Sequence, residues 1–126
     1  MERSEDTTNL VEQILAHEYT PITAAAVQVL SGTVMTLAFP FVETPVGLSV
    51  WIGAFAVNRF ASLIGLASTF YQYNHNLNGA NLTDVVVNGV AFTFGWIPPL
   101  TEHLSIAVLF YSGYRLYDGE MERINR

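Results

Sequence analysis

The chain has 126 residues, 51% of them hydrophobic and 13% charged, with a formal net charge of −6. An ordinary soluble domain carries about 25% charged residues, and here the few charges gather at the two ends. The absence of cysteine excludes disulfides, thiolate metal sites and cysteine nucleophiles, and the acidic balance without a basic stripe excludes nucleic acid as a partner. The length allows a single domain, 1–126.

The first eight residues, MERSEDTT, are polar and acidic. No apolar run follows a basic segment, so they do not read as a cleavable signal peptide. Asn9 with Glu12 has the spacing of a capping box, and Leu10, Val11, Ile14 and Leu15 then share one face. These positions predict a short amphipathic helix over 9–19, lying on a membrane surface or packed on a partner subunit or on the protein's own helices. Pro21 suits the first turn of the next element.

Two long apolar stretches follow. The first, 22–41, repeats small or polar residues every fourth position at Ala24, Gln28, Gly32 and Thr36, a pattern that lets helices cross closely. Pro40, Glu43, Thr44 and Pro45 form a tight turn into the second, 46–72, so the two pair as an antiparallel hairpin. As one helix, 46–72 measures about 40 Å, enough to cross a bilayer with some tilt. Its one charge, Arg59, lies at the midpoint. Arginine at mid-membrane costs roughly 2.5–3.5 kcal/mol, which the Leu, Ile, Phe and Val residues of the stretch roughly offset at about 0.3–0.6 kcal/mol each. Arg59 is therefore expected to face protein or water. Ala54, Asn58, Ala61, Gly65 and Ser68 follow at i, i+4, i+7, i+11 and i+14, a helix-packing seam.

The segment QYNHNLNGAN after Gln72 reads as a polar loop. A third, shorter span over 82–97 carries Asp84, Asn88, Ala91 and Gly95 in one stripe and stops at Pro98-Pro99. A fourth covers 100–117, with Glu102 in its first turn and Arg115 in its last, before a charged tail, 118–126. The expected fold is all-α: an integral membrane four-helix bundle made of two helical hairpins, preceded by the amphipathic helix. Arg3 precedes the first span, Arg115, Arg123 and Arg126 close the last, and the connecting loops hold no arginine. By the positive-inside rule both termini face the cytoplasm or a virion interior, and tyrosines and tryptophans near the span ends suit an aromatic belt.

Chemistry is sparse. The topology brings Gln28, Asn58, Arg59 and Asn88 to comparable depth on three spans. Such a buried polar cluster is either hydrogen-bond glue between helices or part of a substrate or ion path, and Arg59 alone can also meet lipid phosphate. Its expected partners are Gln28, Asn88 or backbone carbonyls, because Glu43, Asp84 and Glu102 all fall near a surface. His17, His75 and His103 sit at span ends and do not pair for metal or haem, and no nucleotide-binding or hydrolase motif occurs. No enzyme, cofactor or metal is expected.

All five basic residues are arginine. In this the acidic, lysine-free chain resembles proteins of extreme halophiles, haloarchaea and their viruses above all, although few exposed positions give the same bias. In size and layout it resembles the small multi-span proteins embedded in haloarchaeal virus membranes. That resemblance implies a non-enzymatic scaffold subunit of a membrane assembly, with the lipid bilayer and copies of itself or other subunits as partners. The alternative is a small pore, holin-like or transporter protein with Arg59 lining an anion path.

Overall fold

The computed structural model describes the backbone of residues 2–125 and the side chains of residues 9–121. The described chain is all-helical, without strands. Helix α1 is Glu2–Ala16 and α2 is Thr20–Ala38, which tightens into a 3-10 turn, Phe39–Phe41. Helix α3 is Pro45–Asn74, α4 is Leu82–Phe94 and α5 is Pro98–Asn125.

The ends of these helices follow from local chemistry. Pro21, Pro45 and Pro98 occupy first turns, where the missing N–H costs nothing. The Thr44 hydroxyl caps α3 by accepting from the Gly47 N–H at 3.0 Å, and it donates to the Phe41 carbonyl at 2.7 Å. A Cβ on Gly47 would strike the Phe41 backbone, so the α2–α3 turn needs glycine there. Asn81 and Asp84 form a reciprocal capping box at the start of α4, with bonds of 3.0 and 2.9 Å. In the loop before it, Asn76, Asn78 and Gly79 take positive φ, a conformation these residue types tolerate.

Thr44→Ala should therefore cost about 1 kcal/mol, read as a lower thermal midpoint in detergent. An unchanged midpoint would mean that the cap does not hold the turn.

Helix α1 begins earlier than the sequence pattern suggests. No Gly or Pro interrupts residues 2–16, so Asn9 lies inside the helix and does not cap it. The far end of α1 is fastened by side chains of other elements. The Leu15 carbonyl accepts from Ser68 Oγ at 2.7 Å and from Gln72 Nε2 at 3.0 Å, the Ala16 carbonyl from Asn78 Nδ2 at 2.8 Å, and the Ile14 carbonyl from the Thr20 hydroxyl. Carbonyls left over at a helix end are satisfied in this way. At the other end of the chain, α5 runs on through the charged stretch to Asn125.

Helix α2 packs on α3 and α5, α3 on α4, and α4 on α5, which closes a ring of four helices. The stretch Thr20–Phe41 and the helix Pro45–Asn74 are long and apolar enough to cross a membrane. Helix α4 is not. Its 13 residues rise about 20 Å, against about 30 Å of hydrocarbon. The expected third span, 82–97, is thus shorter as a helix than its sequence pattern. A methyl placed at Gly65 would stand 3.0 Å from Asn88 Oδ1, and Arg59 reaches the carbonyls of Ala91 and Phe92. These contacts put the end of α4 level with Arg59, the fifteenth of the thirty residues of α3.

Burial runs opposite to that of a water-soluble protein. Among the described residues the buried set holds seven apolar side chains, five of them alanine, and thirteen polar or charged ones. The large apolar side chains point outward: Leu30, Leu37, Phe60 and Phe110 are 65–75% exposed. A soluble monomer rarely shows so much contiguous apolar surface, whereas in lipid small and polar residues pack inside and apolar ones face out.

Candidate functional site: an arginine at the end of a short helix

Each seam contributes to the interior. From α3 come Asn58, Arg59, Ala61, Ser62, Gly65 and Ser68, from α2 Ala24, Gln28 and Gly32, from α4 Asp84, Asn88 and Ala91, and from the turn after it Gly95, all buried. Ala54 is half-buried, and Thr36 is exposed with its hydroxyl turned back onto the Gly32 carbonyl at 3.0 Å. Helix α5 adds a seam not foreseen from sequence, Thr101, Ser105, Val108 and Ser112, each 6% exposed or less. Its spacing of i, i+4, i+7 and i+11 matches that of the α3 seam and was there to be read.

Gln28, Asn58, Arg59 and Asn88 are all buried at 5% exposure or less, yet they divide into two groups. Asn58 and Arg59 form the upper one. Asn58 Nδ2 donates to the Gln28 carbonyl at 2.8 Å and to Ser105 Oγ at 3.1 Å, which ties α3 to α2 and α5. Asn58 Oδ1 accepts from Arg59 Nε at 3.1 Å and Nη2 at 2.7 Å. Arg59 Nη1 donates to the Phe92 carbonyl at 2.8 Å and, more weakly, to that of Ala91 at 3.4 Å. The guanidinium also lies 5.6 Å from the centre of the Trp96 ring, within cation–π reach.

The Gln28 and Asn88 side chains, expected among the partners of Arg59, do not bond to it. They meet lower down, around Gly65, and Asn88 Nδ2 turns back to the Asp84 carbonyl at 2.9 Å. Asn58 supplies the contact instead. Adjacent residues on a helix do not face each other, so a reading by helix faces overlooks a neighbour that a long arginine side chain can reach back to.

This geometry explains a charge at that height. Helix α4 stops about half-way along α3, and its last carbonyls need donors. Arg59 supplies one to the Phe92 carbonyl, the Gly95 N–H serves that of Ala91 at 2.9 Å, and the arginine's positive charge meets the negative end of the helix dipole. Each carbonyl left without a donor would cost about 1–3 kcal/mol. Thr101 finishes the turn by donating to the Gly95 carbonyl at 2.6 Å, while the Ile97 N–H bonds to the Phe94 carbonyl at 3.1 Å. A Cβ on Gly95 would collide with the Arg59 guanidinium and the Ala91 carbonyl, so only glycine lets the arginine lie across the helix end. Phe55, Phe92 and Trp96 pack edge to face around the turn, with Trp51 stacked on Phe55.

At the opposite end of α4, Asp84 accepts from Arg115 Nε at 2.9 Å and from the Tyr111 hydroxyl at 2.6 Å. Arg115 Nη2 also holds the Gly79 carbonyl at 2.7 Å. The α4–α5 hairpin is thus fastened at its base by Asp84–Arg115 and at its tip by Arg59 and Thr101. His17, His75 and His103 are exposed, and the described residues hold no cluster of three or more His, Asp or Glu placed to bind a metal ion. No protein-family model, curated protein or solved structure matches the chain.

Proposed function

We propose that the chain is a non-enzymatic structural subunit of a membrane assembly, in a cell or virion membrane, built as a membrane four-helix bundle. In this reading α2 and α3 cross the bilayer. The α4–α5 hairpin enters from the side of the chain ends and turns round at the depth of Arg59. Both termini face the cytoplasm or virion interior, as the distribution of arginines favours. Irregular backbone at membrane depth needs its polar groups satisfied by protein; at the α4–α5 turn Arg59 bonds the Phe92 carbonyl and Thr101 the carbonyl of the buried Gly95, while the Phe94, Trp96 and Ile97 side chains face outward.

The observation that carries the proposal is the engagement of Arg59. It is 5% exposed and spends its donors on Asn58 and the end of α4. An arginine lining an anion path would present its guanidinium to water. Flux from liposomes tests the choice. Reconstituted protein should release chloride no faster than protein-free vesicles, while cross-linking in its native membrane gives discrete species of higher order. Chloride release that disappears in Arg59→Leu, with cross-linking intact, would make the protein a pore.

A further inference from the structure

Below the Arg59 layer the interior is polar and open to one side. A cleft of about 320 Å³ enters between the helices at the end where Asp84 and Arg115 pair, with Gln72, Tyr111 and Ser112 on its walls and Asn88 at its inner end. Asn88 Oδ1 and the Gln28 side chain converge on Gly65, 3.0 and 3.7 Å from where its Cβ would stand. Ser62 lies one turn along α3 from Gly65, towards Asn58. Gln28 Oε1 and Ser62 Oγ have no protein hydrogen-bond partner, although both residues are 99% buried.

Buried polar groups are satisfied by protein or by ordered water, and a lipid-facing bundle can draw water only through an opening of its own. The cleft is such an opening: its lining reaches Asn88, whose side chain meets that of Gln28 around Gly65. Above them, Asn58 joins the Gln28 carbonyl, Ser105 and Arg59 in one hydrogen-bonded layer across α2, α3 and α5, which Arg59 extends to α4. The third unpartnered atom, Glu102 Oε2, belongs to the far side of that layer, one turn beyond Ser105 and against Gly32.

We infer that this protein contains a one-sided aqueous vestibule. Water enters from the side of the chain ends, passes Asp84 and Asn88, binds Gln28 Oε1 and Ser62 Oγ, and stops at the Asn58–Arg59 layer. The inference rests on the membrane reading and deepens it: the bundle is wet to half its height and closed above.

The chain has no cysteine of its own, so single cysteines report cleanly. In sealed vesicles treated with the membrane-impermeant reagent trimethylammonioethyl methanethiosulfonate, Ser112→Cys and Ser62→Cys should react at least tenfold faster than Ser105→Cys and the lipid-facing Phe110→Cys. They should do so only from the side of the chain ends. Ser62→Cys reacting no faster than Phe110→Cys would overturn the vestibule, and Ser105→Cys reacting from the opposite side would make it a through-passage. Rapid reaction of Phe110→Cys itself would instead overturn the membrane reading on which the vestibule rests. The unsubstituted protein in bilayers gives an independent check: solid-state NMR should show water cross-peaks to the side-chain amides of Gln28 and Asn88 and none to that of Asn58. A Gln28 amide without a water cross-peak contradicts the inference.

Discussion

Arg59→Leu should insert into membranes at least as well as the native chain and yet fail to hold its native packing. Two effects of similar size act in opposite directions. Removing the charge relieves roughly 2.5–3.5 kcal/mol of insertion cost. It also strips the donors from the Phe92 carbonyl and from Asn58 Oδ1, at about 1–3 kcal/mol for each orphaned acceptor. The gain acts on partitioning into the membrane and the loss acts on folding within it, so one substitution separates them. The integrated fraction should hold or rise while the thermal midpoint in detergent falls. Arg59→Lys should lower the midpoint too, since an ammonium cannot bridge Asn58 and two carbonyls with a planar fork. A midpoint raised by Arg59→Leu would show that the arginine is tolerated and not used.

Gly65→Leu should be far more damaging than Gly53→Leu on the same helix. A single methyl at Gly65 would already stand 3.0 Å from Asn88 Oδ1 and 3.5 Å from Ala24 Cβ, so leucine must push α3 away from both α4 and α2. Overpacking of this kind costs typically 1–3 kcal/mol, and here it also breaks up the buried polar group around Gln28 and Asn88. Gly53→Leu makes the same chemical change on the same helix, with no atom within 4 Å of the new Cβ. It should be neutral or mildly stabilising, because leucine favours helix over glycine by nearly 1 kcal/mol. Size-exclusion chromatography in detergent should give one sharp species for Gly53→Leu and a broadened or aggregated profile for Gly65→Leu. Matching profiles would mean that the seam is wrongly placed.

Much of this architecture is visible in the spacing of small residues. In membranes small and polar side chains go where helices touch, and the repeats through Ala24, Gly65 and Asn88 come together around Gly65. What spacing could not give is the height at which α4 ends. The apolar run continues past Phe94 through Trp96 and Ile97, so its composition reads as span to the prolines, but the helix stops at Phe94. A turn made of apolar residues looks apolar whether it lies inside a membrane or at its edge. The Asp84–Arg115 pair was within reach of sequence reasoning, since the hairpin brings the first turn of one helix beside the last apolar turn of the next. The bond from Asn58 to Arg59 was not, because helix periodicity separates neighbours that a long side chain reunites.

The central claim is that the α4–α5 turn lies inside the apolar layer and is held there by Arg59. Spin-label depth tests it most directly, with a nitroxide on Ile97→Cys compared with Phe60→Cys and Glu43→Cys in bilayers. Ile97 is 48% exposed on the turn, so a label there samples the surroundings without disturbing the core. The label at 97 should collide readily with oxygen and hardly at all with a water-soluble nickel chelate, as at 60 and unlike 43. Nickel access at 97 equal to that at 43 would place the turn in water and contradict the account.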